Sequence, residues 1–229
     1  MNQSAKKVML PAALTGIVLL TAVIGGIPFS FAEDQTRTQS LEPFDRLFVE
    51  KGIEVNVHCS ERNWNYLEAT GENHTLNQMK LTERNGELSI SNTSGDDWEE
   101  TDPLTLDIYT TQPLHRLEAR FGIEAIVDSC AVAKDSFEAV GKMGSKLTLS
   151  GQTDKLSLEL AMGATLTPAS QPLKIGQADV KLGMGASASL CHAESITGEQ
   201  SAGTRISASP QAQTKLNSSY GTALVFDEC

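Results

Sequence analysis

Arg120-Phe121-Gly122, Lys142-Met143-Gly144, Ala161-Met162-Gly163, Gly183-Met184-Gly185, Ser201-Ala202-Gly203 and Ser219-Tyr220-Gly221 repeat one phrase through the second half of the chain. Their glycines are separated by 22, 19, 22, 18 and 18 residues, near the period of short solenoid repeats. Each repeat is predicted to be one coil. Three residues beyond each glycine stands an apolar column, Ala125, Leu147, Leu166, Ala188, Ile206 and Leu224. Two further on come Val127, Leu149, Pro168, Leu190, Ala208 and Phe226, while the place between reads Ile126, Thr148, Thr167, Ser189, Ser207 and Val225. Apolar residues at every second place have the period of a half-buried strand, not the 3.6 of a helix.

A second apolar column precedes each glycine by five places: Leu117, Ala139, Leu158, Val180, Gly198 and Leu216. Each coil therefore carries at least two short strands, joined through a glycine that turns the corner. Stacked coils pair strand to strand in parallel, about 4.8 Å apart, and bury one continuous core. An all-β, parallel β-helix (β-solenoid) is the predicted fold. The residue before each glycine puts Met143, Met162 and Met184 in one file. That file admits two readings, a soft thioether site for copper(I) or flexible apolar side chains filling a corner. With no Cys or His recurring at this phase, the second is preferred. The Thr and Ser file between the apolar columns reads as a hydrogen-bonded ladder in preference to a binding strip.

Residues 1–32 read as a signal peptide, with Lys6 and Lys7 ahead of an uncharged apolar run and Ser30-Phe31-Ala32 at the cleavage position. If that segment stays uncleaved it is a membrane anchor, the one membrane contact expected. Net charge at pH 7 is −11 for the whole chain, and removing those two lysines makes the mature chain more acidic still. So negative a surface repels nucleic acid and anionic lipid. Residues 33–43 read as a mobile polar lead, and 44–229 as a single domain. Leu47-Phe48-Val49 and Ile53-Glu54-Val55-Asn56-Val57 flank Glu50-Lys51-Gly52 and read as paired strands. Met79-Lys80-Leu81-Thr82 and Leu88-Ser89-Ile90 enclose Asn85-Gly86, a strong hairpin-turn signal. Leu104-Thr105-Leu106-Asp107-Ile108 is a further strand. These hairpin-like amino-terminal coils are expected to cap the solenoid, whose end would otherwise expose strand edges.

Phe44-Asp45-Arg46-Leu47-Phe48-Val49 with Ile53 to Val57, the Asn85-Gly86-Glu87-Leu88-Ser89-Ile90 hairpin and the glycine coils after Pro113-Leu114 together resemble the bacterial auto-transporter adhesin head domain, also called the head GIN domain. The resemblance spans roughly residues 44–226. It implies a right-handed parallel β-helix in an exported or envelope protein, with no catalytic residues to carry over.

Four cysteines in an exported chain point to disulfides. Cys130 and Cys229 share a phase but lie five coils apart, about 24 Å at strand spacing, which is too far to bridge unless the tail folds back. Cys59 with Cys130, and Cys191 with Cys229, is the least strained pairing, although four cysteines allow three connectivities. His58 and His192 adjoin Cys59 and Cys191, yet the spacing matches no tight zinc motif. Asp96, Asp97, Trp98, Glu99, Glu100 and Asp102 form the candidate ligand or calcium loop, in which carboxylates could hold the cation and Trp98 could stack on a sugar. A solvated acidic loop is the plainer reading. Trp64, near Tyr66, reads as a cap residue packed on the core in preference to a glycan platform.

The outward place in each coil holds Glu124, Lys146, Thr165, Ser187, Arg205 and Ala223, with no recurring carboxylate pair for acid–base work. No nucleophile elbow, phosphate loop or His-Glu-x-x-His occurs, and no catalytic residue, metal centre or cofactor is predicted. The expectation is a non-enzymatic exported protein, adhesin-like or a scaffold, with a surface glycan or an envelope protein as partner. It would be periplasmic, outer-surface or secreted. Oligomerisation through exposed end strands stays open, and the alternatives are a carbohydrate-active enzyme and a periplasmic metal-handling protein.

Overall fold

The computed structural model describes residues 34–92 and 103–226. The expected signal segment 1–32, the acidic loop and Cys229 lie outside them. The strands in the first half are β1 (Gln35–Leu41), β2 (Arg46–Glu50), β3 (Ile53–Cys59) and β4 (Asn65–Gly71). A short helix α1 (Asn73–Gln78) leads into β5 (Met79–Arg84), β6 (Glu87–Asn92) and β7 (Leu104–Thr110). The glycine coils follow as six strand pairs. They are β8 (Arg116–Arg120) with β9 (Glu124–Val127), β10 (Ser136–Lys142) with β11 (Lys146–Leu149), and β12 (Gln152–Ala161) with β13 (Thr165–Pro168). The last three are β14 (Lys174–Leu182) with β15 (Ser187–Leu190), β16 (Ala193–Gln200) with β17 (Arg205–Ala208), and β18 (Gln213–Ser218) with β19 (Ala223–Val225).

The first strand of every pair joins one parallel sheet and the second joins the other, which makes the chain a parallel β-solenoid. The columns read from the sequence are in register. Leu117, Ala139, Leu158, Val180, Gly198 and Leu216 stack across one sheet, and Ala125, Leu147, Leu166, Ala188, Ile206 and Leu224 across the other. Their side chains meet in one core from Leu41 to Ala208, with Leu147, Leu158 and Ile206 at most 1% exposed. Gly198 has φ +128°, and a Cβ there would lie 2.0 Å from the Val180 carbonyl oxygen. The column admits no side chain at that point. In the predicted ladder, the Thr148 and Thr167 hydroxyls are 2.8 Å apart.

Three features differ from expectation. Gln35–Leu41, inside the anticipated lead, is an edge strand antiparallel to β4. All of it except Leu41 is exposed, so backbone pairing holds it and no apolar alternation announces it. Secondly, β2 and β3 do not pair with each other; they belong to different sheets. Lys51 and Gly52, with φ of +71° and +61°, turn a corner between them, and their N–H groups donate to the Arg120 and Phe121 carbonyls. Glu50-Lys51-Gly52 is thus one more coil corner, stacked on Phe121-Gly122. Thirdly, the methionines fill no corner, because Met143, Met162 and Met184 are 40%, 61% and 73% exposed.

The space next to β2 and β3 is closed by β6 and β7, which continue the parallel stack outward. Antiparallel strands then cap both sheets, β5 against β6 through the Asn85-Gly86 turn, and β4 against β7 with β1 at the edge against β4. Cys59 at the end of β3 is disulfide-bonded to Cys130 beyond β9, with Cα atoms 5.9 Å apart, as the least strained pairing required. Among the described residues no helix is long and apolar enough to cross a membrane.

Candidate functional site

Strand alternation sorts β3, β7 and β4 into an inner and an outer face. Val55, Val57, Leu106, Ile108, Leu67 and Ala69 point into the core, which leaves Asn56, His58, Asp107, Tyr109, Tyr66 and Glu68 on the outer face, where Tyr66 is covered by its neighbours and only 7% exposed. Register then aligns them. His58 pairs with Tyr109 in the parallel ladder, and Tyr109 with Tyr66 in the antiparallel one. The ring centroids of His58 and Tyr109 are 5.1 Å apart. Tyr66 and Trp64, 4.9 Å apart and tilted by 43°, extend the file to four rings across the sheet.

The turn after β3 aims the last ring. Ser60 Oγ lies 3.0 Å from the Arg62 carbonyl and 2.9 Å from the Trp64 carbonyl, shares its proton between them, and accepts from the Arg62 N–H. Held this way, Trp64 is 42% exposed, which corrects its reading as a residue packed on the core. Arg62 places its guanidinium 4.5 Å from the Tyr66 ring centroid and 5.3 Å from that of Trp64, within cation–π range.

Polar groups border the rings. His58 Nδ1 lies 2.9 Å from Asp128 Oδ2 and Nε2 lies 3.3 Å from Asp107 Oδ1, so the imidazole bridges two carboxylates. Asn56 Nδ2 donates to the same Asp107 oxygen at 3.2 Å. Burial, and then the charges of Glu68 and Asp107, push the Tyr109 phenol above its ordinary range. Tyr66 is stacked between Tyr109 and Arg62, so the aromatic surface on offer is exposed Trp64 with half-buried Tyr109 and His58, edged by carboxylate, amide and phenol groups that suit a ring with an apolar face and a hydroxylated rim.

The outer face of the other sheet is charged but self-satisfied. Burial pushes the Glu118 carboxyl up, and hydrogen bonds from Arg116 and Arg120 outweigh it and hold the group below the carboxylate range. Arg116 Nη2 lies 2.8 Å from Glu118 and Arg120 Nε 2.6 Å, while Arg116 also pairs with Glu138 and Lys142 with Glu159. A shallow groove of about 620 Å³ runs over Arg46, Phe48, Arg116, Glu118 and Arg120. Its charges are already paired with one another.

Of the residues singled out from sequence, Cys59 and Cys130 come together and Cys191 is also disulfide-bonded. The zinc reading for His58, His192, Cys59 and Cys191 therefore fails, since disulfide sulfur offers no thiolate. Asp96, Asp97, Trp98, Glu99, Glu100 and Asp102 lie outside the described residues, in the link from β6 to β7. Among the described residues no group of three or more His, Cys, Asp or Glu side chains is placed to hold a metal. Tyr109, Asp107, Asp128 and Arg62 carried no sequence signal as a site. The outward parity of Asp107 and Tyr109 was readable in β7, but Asp128 follows β9, Arg62 lies in the turn after β3, and bringing the four together needed the strand registers.

The chain belongs to the family described as "Putative auto-transporter adhesin, head GIN domain", whose sequence profile matches residues 43–219. This is a family of adhesin-like exported proteins. No curated protein matches the chain. Among solved structures it is similar to a "putative adhesin" from Bacteroides fragilis, at 12% identity and a TM-score of 0.62, covering 84% of this chain and 96% of that one. A "putative adhesin" from Parabacteroides merdae is 14% identical with a TM-score of 0.49, over 84% of this chain and 96% of the other. A "putative lipid binding protein" from Parabacteroides distasonis is 10% identical with a TM-score of 0.45, over 86% and 95%. At such identity the Bacteroides fragilis likeness speaks for the fold alone.

Proposed function

We propose that the chain is a non-enzymatic binding module, exported to the periplasm, outer surface or medium, that holds a glycan on the Trp64–Tyr66–Tyr109–His58 face. The carrying observation is exposed Trp64 with half-buried Tyr109 and His58, aligned through the buried Tyr66, with Arg62 over the Tyr66 and Trp64 end and Asp107, Asp128 and Asn56 around the other. Pyranose rings stack their C–H faces on such side chains, while carboxylate and amide groups take the hydroxyls. Net charge of −11 speaks against a polyanionic glycan or nucleic acid, which favours a neutral or amino sugar. Family membership supports a role in recognition.

The test is a glycan array probed with the chain, Trp64→Ala and Tyr109→Ala, with and without calcium. Selective binding lost in both variants supports the reading, and no binding, or binding that both variants retain, overturns it. Trp98→Ala belongs in the same experiment, because the acidic loop leads into β7, which carries Asp107 and Tyr109.

A further inference from the structure

We propose that Met143, Met162 and Met184 form a thioether site for a soft monovalent cation of the copper(I) or silver(I) class. The site sits on the glycine corner between the sheets, is lined by residues separate from the aromatic face, and does not depend on the glycan reading.

Backbone pairing sets the spacing. The Met143 carbonyl accepts from Gly122 N–H at 3.0 Å, the Met162 carbonyl from Gly144 N–H at 3.0 Å, and the Met184 carbonyl from Gly163 N–H at 3.1 Å. The three residues therefore stand one above another on consecutive coils, about 4.8 Å apart. A methionine side chain has three rotatable bonds beyond its backbone, enough for neighbouring sulfurs at that spacing to swing onto a shared ion. All three residues are substantially exposed, outside the buried core.

The fold does not ask for thioether here. Met143 and Met162 have φ of +56° and +53°, a conformation that bulky residues rarely adopt. Lys51 takes the same corner at φ +71°, which shows that a charged residue can turn the chain there. Three consecutive large apolar side chains left exposed are costly as surface, and two of them, Met143 and Met162, also sit in the left-handed region. Phe121, 45% exposed on the preceding coil, closes the file at one end with an apolar ring.

The surrounding chemistry selects a soft ion. Cys59, Cys130 and Cys191 are disulfide-bonded, so thioether is the soft donor the described residues present. Hard cations prefer carboxylates, and none lies in the file. The neighbouring cations are neutralised, Lys142 by Glu159 at 2.8 Å and Lys146 by Glu124 at 2.7 Å, and so do not repel an arriving charge.

The experiment titrates the full, oxidised chain with silver(I) nitrate in chloride-free buffer without reductant, following methionine methyl signals by NMR. The expected result is one silver ion per chain, with the Met143, Met162 and Met184 methyl signals shifting together. Met162→Leu preserves the apolar surface and should weaken binding by at least about tenfold. The triple Leu variant should abolish it with unchanged circular dichroism, while Met79→Leu has no effect. No saturable silver binding, or affinity unchanged in Met162→Leu, overturns the proposal.

Discussion

Tyr66 and Tyr109 lie face to face on neighbouring antiparallel strands, with ring centroids 4.3 Å apart and planes 8° from parallel. Stacked aromatic pairs contribute about 1 kcal/mol beyond the area they bury. A double-mutant cycle with Tyr66→Leu and Tyr109→Leu should return a coupling of about that size in urea unfolding. Additive losses would mean that the rings merely coexist on the sheet.

Acid should loosen the charged sheet through Glu118. Its folded pKa is below the ordinary 4.5, so its contribution is complete above that value and is lost as pH falls through the folded one. Glu159, held low by its hydrogen bond to Lys142, acts in the same direction. Glu118→Gln should cost about 2 kcal/mol at pH 7 and flatten the fall in stability below about pH 4.5. Denaturant midpoints measured from pH 7 to pH 3 would show both effects.

The Cys59–Cys130 bond closes 71 residues of sequence. By loop-closure entropy it stabilises the folded chain by about 4 kcal/mol. Replacing both cysteines with serine should lower the chemical-denaturation midpoint accordingly, and adding reductant to that variant should change little at this bond. Peptide mapping without reduction should recover Cys59 and Cys130 as one linked fragment.

Two glycine-to-alanine substitutions should behave very differently. At Gly198 the new methyl group meets the Val180 carbonyl oxygen at 2.0 Å, so Gly198→Ala should force β16 away from β14 and cost at least about 3 kcal/mol. At Gly203 the nearest atom is 3.9 Å away, and only the φ of +71° is unfavourable, which makes Gly203→Ala a loss of about 1–2 kcal/mol. Thermal unfolding of the two variants side by side would separate steric from conformational cost.

The coils were legible in the sequence because each strand pairs with its successor one repeat later. A fixed spacing from glycine to Leu147, Leu166 and Ile206 therefore doubles as a register. The hairpin at Asn85-Gly86 was legible for the same local reason, the two residues taking φ of +52° and +76°. The candidate site was legible only as Trp64 near Tyr66, where the sequence alone prefers the packed reading. Its rings come from β3, the turn beyond it, β4 and β7, and their alignment rests on pairings between strands separated by a helix and a hairpin. Nothing in Tyr66 or Tyr109 alone says that they face each other. Residues 35–41 hid for another reason, since an exposed edge strand held by backbone bonds has no burial pattern to betray it. The methionine file was visible, but whether its side chains point inward or out turned on the left-handed corner geometry at Met143 and Met162.

Because β2 and β3 lie between the β6/β7 pair and the β8/β9 pair, the segment synthesised first among the coil strands ends in the interior of the stack. Winding from one tip to the other cannot build that order. After β7 the chain must return to lay Arg116 beside Arg46, about 70 residues earlier, before any glycine coil has a surface to settle on. The rate of folding should answer to that single return, however many coils are added beyond it.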